Sequence, residues 1–347
     1  ILYAENAASQ SLNNETMNTL QLTNSETQII PEVSFEYFSD FAQYRLKQME
    51  TGQILTEKGV MYSAATRRIY KSAITLFKEF ELLLQSRIKI HEMNGRTVKA
   101  FERFLISKGL TLNSVGAYIS KIKAVGNFLF AEDIGLKPVK HSVKSEQTTK
   151  IYLSIPEIRQ LKNCETLTEG QKKVLDVFLV QAFTGFSYKT LQEFLKNPLA
   201  FMKDFDGKTY IEIERSKTGE TSVVPLHNEV QRIITKYNGA MPEFTEVYVN
   251  RTLKIIGRKA GLNNPIPVKI TKGGEKVTQM TEKFNLLTSH AARRTMISLG
   301  LQNGLSTTSL QAISGHTTEQ QLSRYNRTEK ILRIKDILGH KFFKEEI

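Results

Sequence analysis

A chain of 347 residues is long enough for two domains, each with a core of its own. Its 48 Lys and Arg against 35 Asp and Glu leave a net charge of +13, which favours a polyanionic partner. The lack of any long apolar stretch excludes a membrane-spanning helix, and the single cysteine, Cys164, excludes an internal disulfide and points to a reducing compartment, most simply the cytoplasm.

Residues 1–32 are polar, rich in Asn, Ser and Thr, and without apolar periodicity, so they read as a loosely ordered tail or the remnant of an upstream domain. Glu5, Glu15 and Glu26 are the charged groups of the first thirty residues, so the positive charge belongs to the rest of the chain. No signal peptide is visible, and the chain opens on Ile1 rather than Met, as a fragment or trimmed chain does.

Over 33–136 the pattern turns helical. Phe35, Phe38, Phe41 and Leu46 predict one amphipathic helix; Ile69, Ala73, Leu76, Phe77, Phe80, Leu83 and Leu84 predict a longer one with a single apolar face. Further helices are expected over Thr97 to Lys108 and Ser114 to Phe130, ending near Gly135 and Pro138. The apolar stripes are core, and Arg67, Arg68, Lys71, Lys121 and Lys123 are candidates to face phosphates. Residues 137–152, with Lys140 and Lys144 and no apolar periodicity, have the composition of a basic interdomain linker.

A second domain is expected over 153–330. Ser154 and Glu157 have capping-box spacing and Pro156 suits a first helical turn. Helices follow near 171 to 184 and 188 to 197, and then YIEIERSKTGETSVVPL, 210 to 226, reads as two short strands around the polar turn Ser216-Lys217-Thr218-Gly219. With few strands elsewhere, the fold class is mainly α with a small antiparallel β-sheet. Residues 331–347, carrying Ile331, Ile334, Ile337, Leu338, Phe342 and Phe343, form a C-terminal helix that either docks in a neighbouring protomer or packs on its own domain.

The most informative stretch runs from SHAARRT, 289 to 295, to SGHTTEQQLSRY, 314 to 325. His290 and Arg293 are three apart and share one helix face; His316 follows, and Tyr325 comes nine residues later, far enough to leave one helix and return on another. The set suits attack by a tyrosine hydroxyl on a phosphodiester, which needs donors on the non-bridging oxygens as charge builds there. Arg293 offers a planar fork, and the histidines can donate hydrogen bonds or relay a proton without a metal or other cofactor. Taken singly, each residue has a plain reading: a solvated helix face, a half-buried tyrosine, a helix-start histidine, a charged hairpin tip at Lys217. Order and spacing together outweigh those readings.

In these residues the chain resembles the tyrosine recombinases, the integrases of phages and conjugative elements, which cut DNA through a 3′-phosphotyrosine. His290, Arg293, His316 and Tyr325 match the last four elements of that family's box, and Lys217 stands where the family has its general acid. The resemblance implies that Tyr325 attacks the scissile phosphate, Lys217 protonates the leaving 5′ oxygen, Arg293 and His316 hold the non-bridging oxygens, and His290 serves as general base. It also implies a two-domain clamp on double-stranded DNA, a helical core-binding domain and a catalytic domain, with four protomers exchanging strands between paired sites, with or without an accessory DNA-bending protein.

The family's first arginine is missing. Where it has Thr-Gly-x-Arg, this chain reads Thr184-Gly185-Phe186-Ser187, with Thr190 in place of the acid that usually follows. Ser187 reads as a helix-start residue, and Lys189, Arg294 and Arg258, in that order, are the candidates for a replacement cation. Integrases of Bacteroidetes mobile elements share this kind of departure, which extends the resemblance to them. Two other readings stay open: a DNA-binding protein with a decayed site, and a strand-relaxing enzyme of the type IB topoisomerase kind.

Overall fold

The computed structural model describes residues 35–131, 140–215 and 219–315, which divide into two compact units: one up to Ser145 that also takes in Lys272–Gly274, the other from Glu146 onward. Mostly helical with small antiparallel sheets, the fold is of the class expected.

The first unit holds α1 (Phe38–Thr51), α2 (Ala64–Leu83), α3 (Gly95–Ser107) and α4 (Leu112–Ala131). Side-chain caps set the starts: Ser63 Oγ accepts from Thr66 N at 3.2 Å, and Asn94 Oδ1 from Arg96 N at 2.9 Å and Thr97 N at 3.3 Å. The helices close on aromatic rings, with Phe77 meeting Phe38 at 5.0 Å and Phe101 at 5.1 Å in edge-on geometry. Burial of each such side chain stabilises by roughly 1.5–3 kcal/mol. The expected stripe on α2 needs correction. Its buried face is Tyr70, Ala73, Ile74, Phe77, Phe80 and Glu81, whereas Ile69 and Leu83 are exposed, as is Leu84 at the helix end. Ile69, Leu76 and Leu83 recur every seven residues along the edge of the buried stripe, where only Leu76 is partly covered. Glu81 is buried because its Oε1 accepts from Ile88 N at 2.9 Å. Phe35, placed in the first helix by spacing, lies half-buried before its start.

The second unit is built on α6 (Glu169–Thr184), buried almost all round from Val174 to Ala182 and packed against α10 (Ser289–Gln302). Ala291 and Ala292 keep α10 slim on its buried side, and Gly300 makes room for Leu310, which a Cβ there would approach to 2.8 Å. Around this pair stand α5 (Ile155–Lys162), α7 (Tyr188–Lys196), α8 (Asn228–Lys236), α9 (Glu246–Lys259) and α11 (Thr307–Ser314). The Ser154–Glu157 capping box forms as the spacing predicts.

The sheet has one strand more than the sequence suggests. β1 (Met202–Phe205), β2 (Lys208–Glu214) and β3 (Thr221–Pro225) form an antiparallel meander, with β1 and β2 joined by Asp206 and Gly207, both at positive φ. β2 and β3 are the expected hairpin, paired from Tyr210↔Pro225 to Glu214↔Thr221. A second, unexpected hairpin pairs β4 (Pro265–Lys272) with β5 (Glu275–Glu282) across Gly273 and Gly274, again both at positive φ.

Candidate active site

Two turns and one strand end define the site. The first turn follows α6: Gly185 ends the helix in the left-handed region at φ 70°, and Gln181 Nε2 donates to Phe186 O at 3.0 Å, fixing the turn. Ser187 then caps α7, its Oγ accepting from Thr190 N at 3.2 Å and lying 2.8 Å from Thr190 Oγ1. Thus the serine in the arginine's place starts a helix, and the threonine in the acid's place completes the cap.

The second turn follows α11, where Gly315 closes the helix at φ 56°. Arg293 joins the two turns. From the second turn of α10, and almost fully buried, it donates through Nη1 to Gly185 O and through Nη2 to Ser314 O, both at 2.6 Å. Charge-assisted bonds of this length hold the backbone on both sides.

The strand end brings Arg215. In β2, Ile211 and Ile213 point into the core, and the same alternation continues one step past the strand to turn Arg215 inward, where it is only 7% exposed. Its Nε donates to Ser222 Oγ at 2.8 Å and its Nη1 to Gly315 O at 3.0 Å, so two buried guanidinium groups converge on the Ser314–Gly315 backbone. Among the described residues, Arg215 Nη2 has no hydrogen-bond partner. Burial first, and then the charge of Arg293, lower the Arg215 pKa to about 10, leaving it cationic at neutral pH. The missed signal for Arg215 was the alternation itself, which places a cation on the apolar side of the strand.

His290 lies in the first turn of α10, one helical turn before Arg293. Although the residue is exposed at the surface, the protein packed around its ring, and then Arg294, Arg293 and Lys150, push its pKa down to about 4, so the imidazole is neutral at neutral pH. The helix start is fixed by Ser289, whose N–H donates to Asn250 Oδ1 at 2.7 Å and whose Oγ bonds Glu246 Oε1 at 2.8 Å.

Of the three replacement cations considered from sequence, Lys189 is exposed on α7, Arg258 stands exposed over the Phe284 ring at 4.9 Å, and Arg294 is half-buried beside His290. Lys217, His316, Tyr325 and the 331–347 helix lie outside the described residues. Among the candidate DNA contacts of the first unit, Arg68, Lys71, Lys140 and Lys144 are exposed. The other three are engaged within that unit: Arg67 Nη1 donates to Glu50 O at 3.1 Å, Lys121 stands over the Tyr70 ring at 4.9 Å, and Lys123 donates to His141 O. No helix among the described residues is long and apolar enough to cross a membrane.

Residues 30–143, about a third of the chain, match the family model described as a phage integrase SAM-like domain. No curated protein matches the chain by sequence. Among solved structures, the chain is similar to the XerH site-specific recombinase in a post-cleavage complex with palindromic difH substrate (TM-score 0.61, 13% identity, 87% of this chain and 95% of that one). It is similar to the Tn1549 transposon integrase in complex with transposon right end DNA (TM-score 0.59, 14% identity, 88% and 100%). It is also similar to a lambda integrase tetramer bound to a Holliday junction (TM-score 0.57, 16% identity, 83% and 77%). At these identities the likeness is one of fold. The chain thus carries a phage integrase SAM-like domain at 30–143 and has the fold of the tyrosine recombinases.

Proposed function

We propose that the protein is a site-specific DNA recombinase of the integrase kind. The observation that carries this reading is the Arg293 tie, which gathers the Gly185 turn, the Ser314–Gly315 turn that leads into His316, and the His290 helix around one buried guanidinium. In the reaction, Tyr325 Oη forms a bond to phosphorus as the bond to the 5′ oxygen breaks. Lys217 gives its proton to that oxygen, His290 takes the proton of the tyrosine, and Arg293 with His316 holds the charge on the non-bridging oxygens. His290 is suited to its part because a base must be neutral before it acts, and its depressed pKa keeps it so. A positioned proton donor such as Lys217 contributes roughly 10²–10⁴ in rate. The 3′-phosphotyrosine conserves the energy of the cut bond, so a free 5′ hydroxyl reverses the step without ATP.

The substrate is double-stranded DNA, and four protomers on paired sites exchange strands in turn through a Holliday junction, in the cytoplasm, with a DNA-bending protein as the natural accessory. The replacement at Ser187 supports a relationship to integrases of Bacteroidetes mobile elements. It also favours a second reading, a DNA-binding protein whose site has decayed. A suicide-substrate trap separates the two: nicked duplexes with a randomised core are incubated with wild type and with Tyr325→Phe and resolved under SDS. Adducts with wild type alone are expected. Tight binding with no adduct on any duplex would replace this reading with the second.

A further inference from the structure

The first turn of α10, which presents His290, is capped from outside. Every other described helix of the second unit takes its cap from its own N-terminal side chain, from Ser154 at α5 to Ser306 at α11. Thr288, at the same position before α10, makes no such bond. Its part is taken by α9: Asn250 Oδ1 accepts from Ser289 N at 2.7 Å, and Glu246 Oε1 accepts from Ser289 Oγ at 2.8 Å. Asn250 and Glu246 are four residues apart and so lie on one face of α9. Ser289 is 1% exposed, so its N–H and hydroxyl depend on these two partners. The Glu246 carboxylate also stands at the positive end of α10, where a negative charge is favoured.

A helix capped by its own chain stays capped wherever it moves, whereas one capped by a neighbour keeps its cap only in one place and one rotation. Arg293, one turn on, holds α10 to Gly185 O and Ser314 O, so the helix is pinned on both sides of His290. We propose that Asn250, with Glu246, is a positioning residue for His290, fixing the first turn of α10 so that the imidazole meets the hydroxyl of the attacking tyrosine. This rests on the recombinase reading above. Both residues act through His290 rather than on the phosphate. A base must lie within about 2.6–3.2 Å of the proton's oxygen, and a misplacement of about 1 Å costs about 10²-fold in rate.

The experiment uses one duplex recovered as a wild-type adduct from the randomised nicked library. Adduct formation by the full chain is timed for wild type, Asn250→Ala, Asn250→Asp, His290→Ala and the Asn250→Ala/His290→Ala double variant, with duplex binding and thermal melting measured alongside. Glu246→Ala, which removes the other bond, serves if Asn250→Ala does not fold. Asn250→Ala is expected to slow adduct formation by about 10²-fold with duplex binding unchanged, and Asn250→Asp, which keeps the acceptor, to restore most of the rate. In the His290→Ala background the alanine at 250 should cost nothing more, because the group it positions is gone, an outcome that a merely structural role would not produce. Should His290→Ala trap nothing, the aspartate variant decides: a rate as low as that of Asn250→Ala overturns the proposal. Equal trapping by Asn250→Ala and wild type, or the same loss in both backgrounds, also overturns it and leaves the recombinase reading standing. No adduct from wild type on any duplex removes both.

Discussion

His290 is set against protonation by its surroundings: the packed protein around it, then Arg294, Arg293 and Lys150, with the positive end of α10 acting in the same direction. An unfolded histidine titrates near 6.5, so between about 6.5 and about 4 the unfolded chain binds a proton that the folded one refuses. Stability therefore falls as pH drops through this window, and is fully present above it. Urea midpoints of wild type and His290→Gln at pH 7 and pH 4.5 measure this: the variant should lose less on acidification, and identical losses would show that His290 is not held neutral. Its pairing with Arg293 is legible in the sequence because helical spacing is regular. The capping role of Ser187 is legible too, from the Ser-x-x-Thr pattern. Arg215 is hidden because it adjoins the polar turn residues Ser216 to Gly219 and shares their composition, although the alternation from Ile211 through Ile213 carries it inward.

Among the elements, α11 packs beside the β2–β3 hairpin, and the Arg215 guanidinium against Gly315 is one of the contacts between them. Gly315→Ala places a methyl group 2.6–2.7 Å from Nε, Nη1 and Cζ and forces a side chain into the left-handed region. The strain alone costs about 1–2 kcal/mol. The variant should lose at least that in chemical denaturation; wild-type stability would mean that the guanidinium moves aside freely. The elements that the sequence hides are the ones with weak periodicity. β1 is four residues long, and β5 is exposed along nearly its whole length, so neither shows the alternation of a half-buried strand. Conversely, α2 has more apolar residues than its face can bury, which is why Leu82, Leu83 and Leu84 remain exposed.

For the molecule as a whole, the excess of positive charge is the property most open to measurement. Arg68, Lys71, Lys140 and Lys144 are exposed, and each phosphate that such a group neutralises releases condensed counterions, giving a slope of log K on log salt of about −0.9 per contact. Duplex affinity should fall steeply between low and physiological salt, and replacing Lys140 and Lys144 together by Gln should flatten the slope by about 2. A slope unchanged by the pair would remove them from the contact surface. Composition alone reads the stretch around these lysines as a linker, yet it is engaged on both sides of the division at Ser145, by backbone before it and by a side chain after it. Within the first unit, the Lys140 and Lys144 carbonyls lie against Gly95 and Gly116, and within the second, Glu146 accepts from both Thr271 N and Thr271 Oγ1 at 2.7 Å. Contacts made by carbonyls and single polar groups leave no apolar period to read.

The Arg293 tie has a consequence for how the gene can change length. Because one side chain spans Gly185 O and Ser314 O at fixed distance, the ends of α6 and α11 are yoked across more than a hundred residues of intervening chain. Insertions can accumulate in that interval, for instance at the exposed Asp206–Gly207 turn, without altering the yoke. A single residue added inside either tied turn would shift a carbonyl out of reach. The family of tolerated lengths is therefore set at two peptide groups, and drift in size is confined to the loops between them.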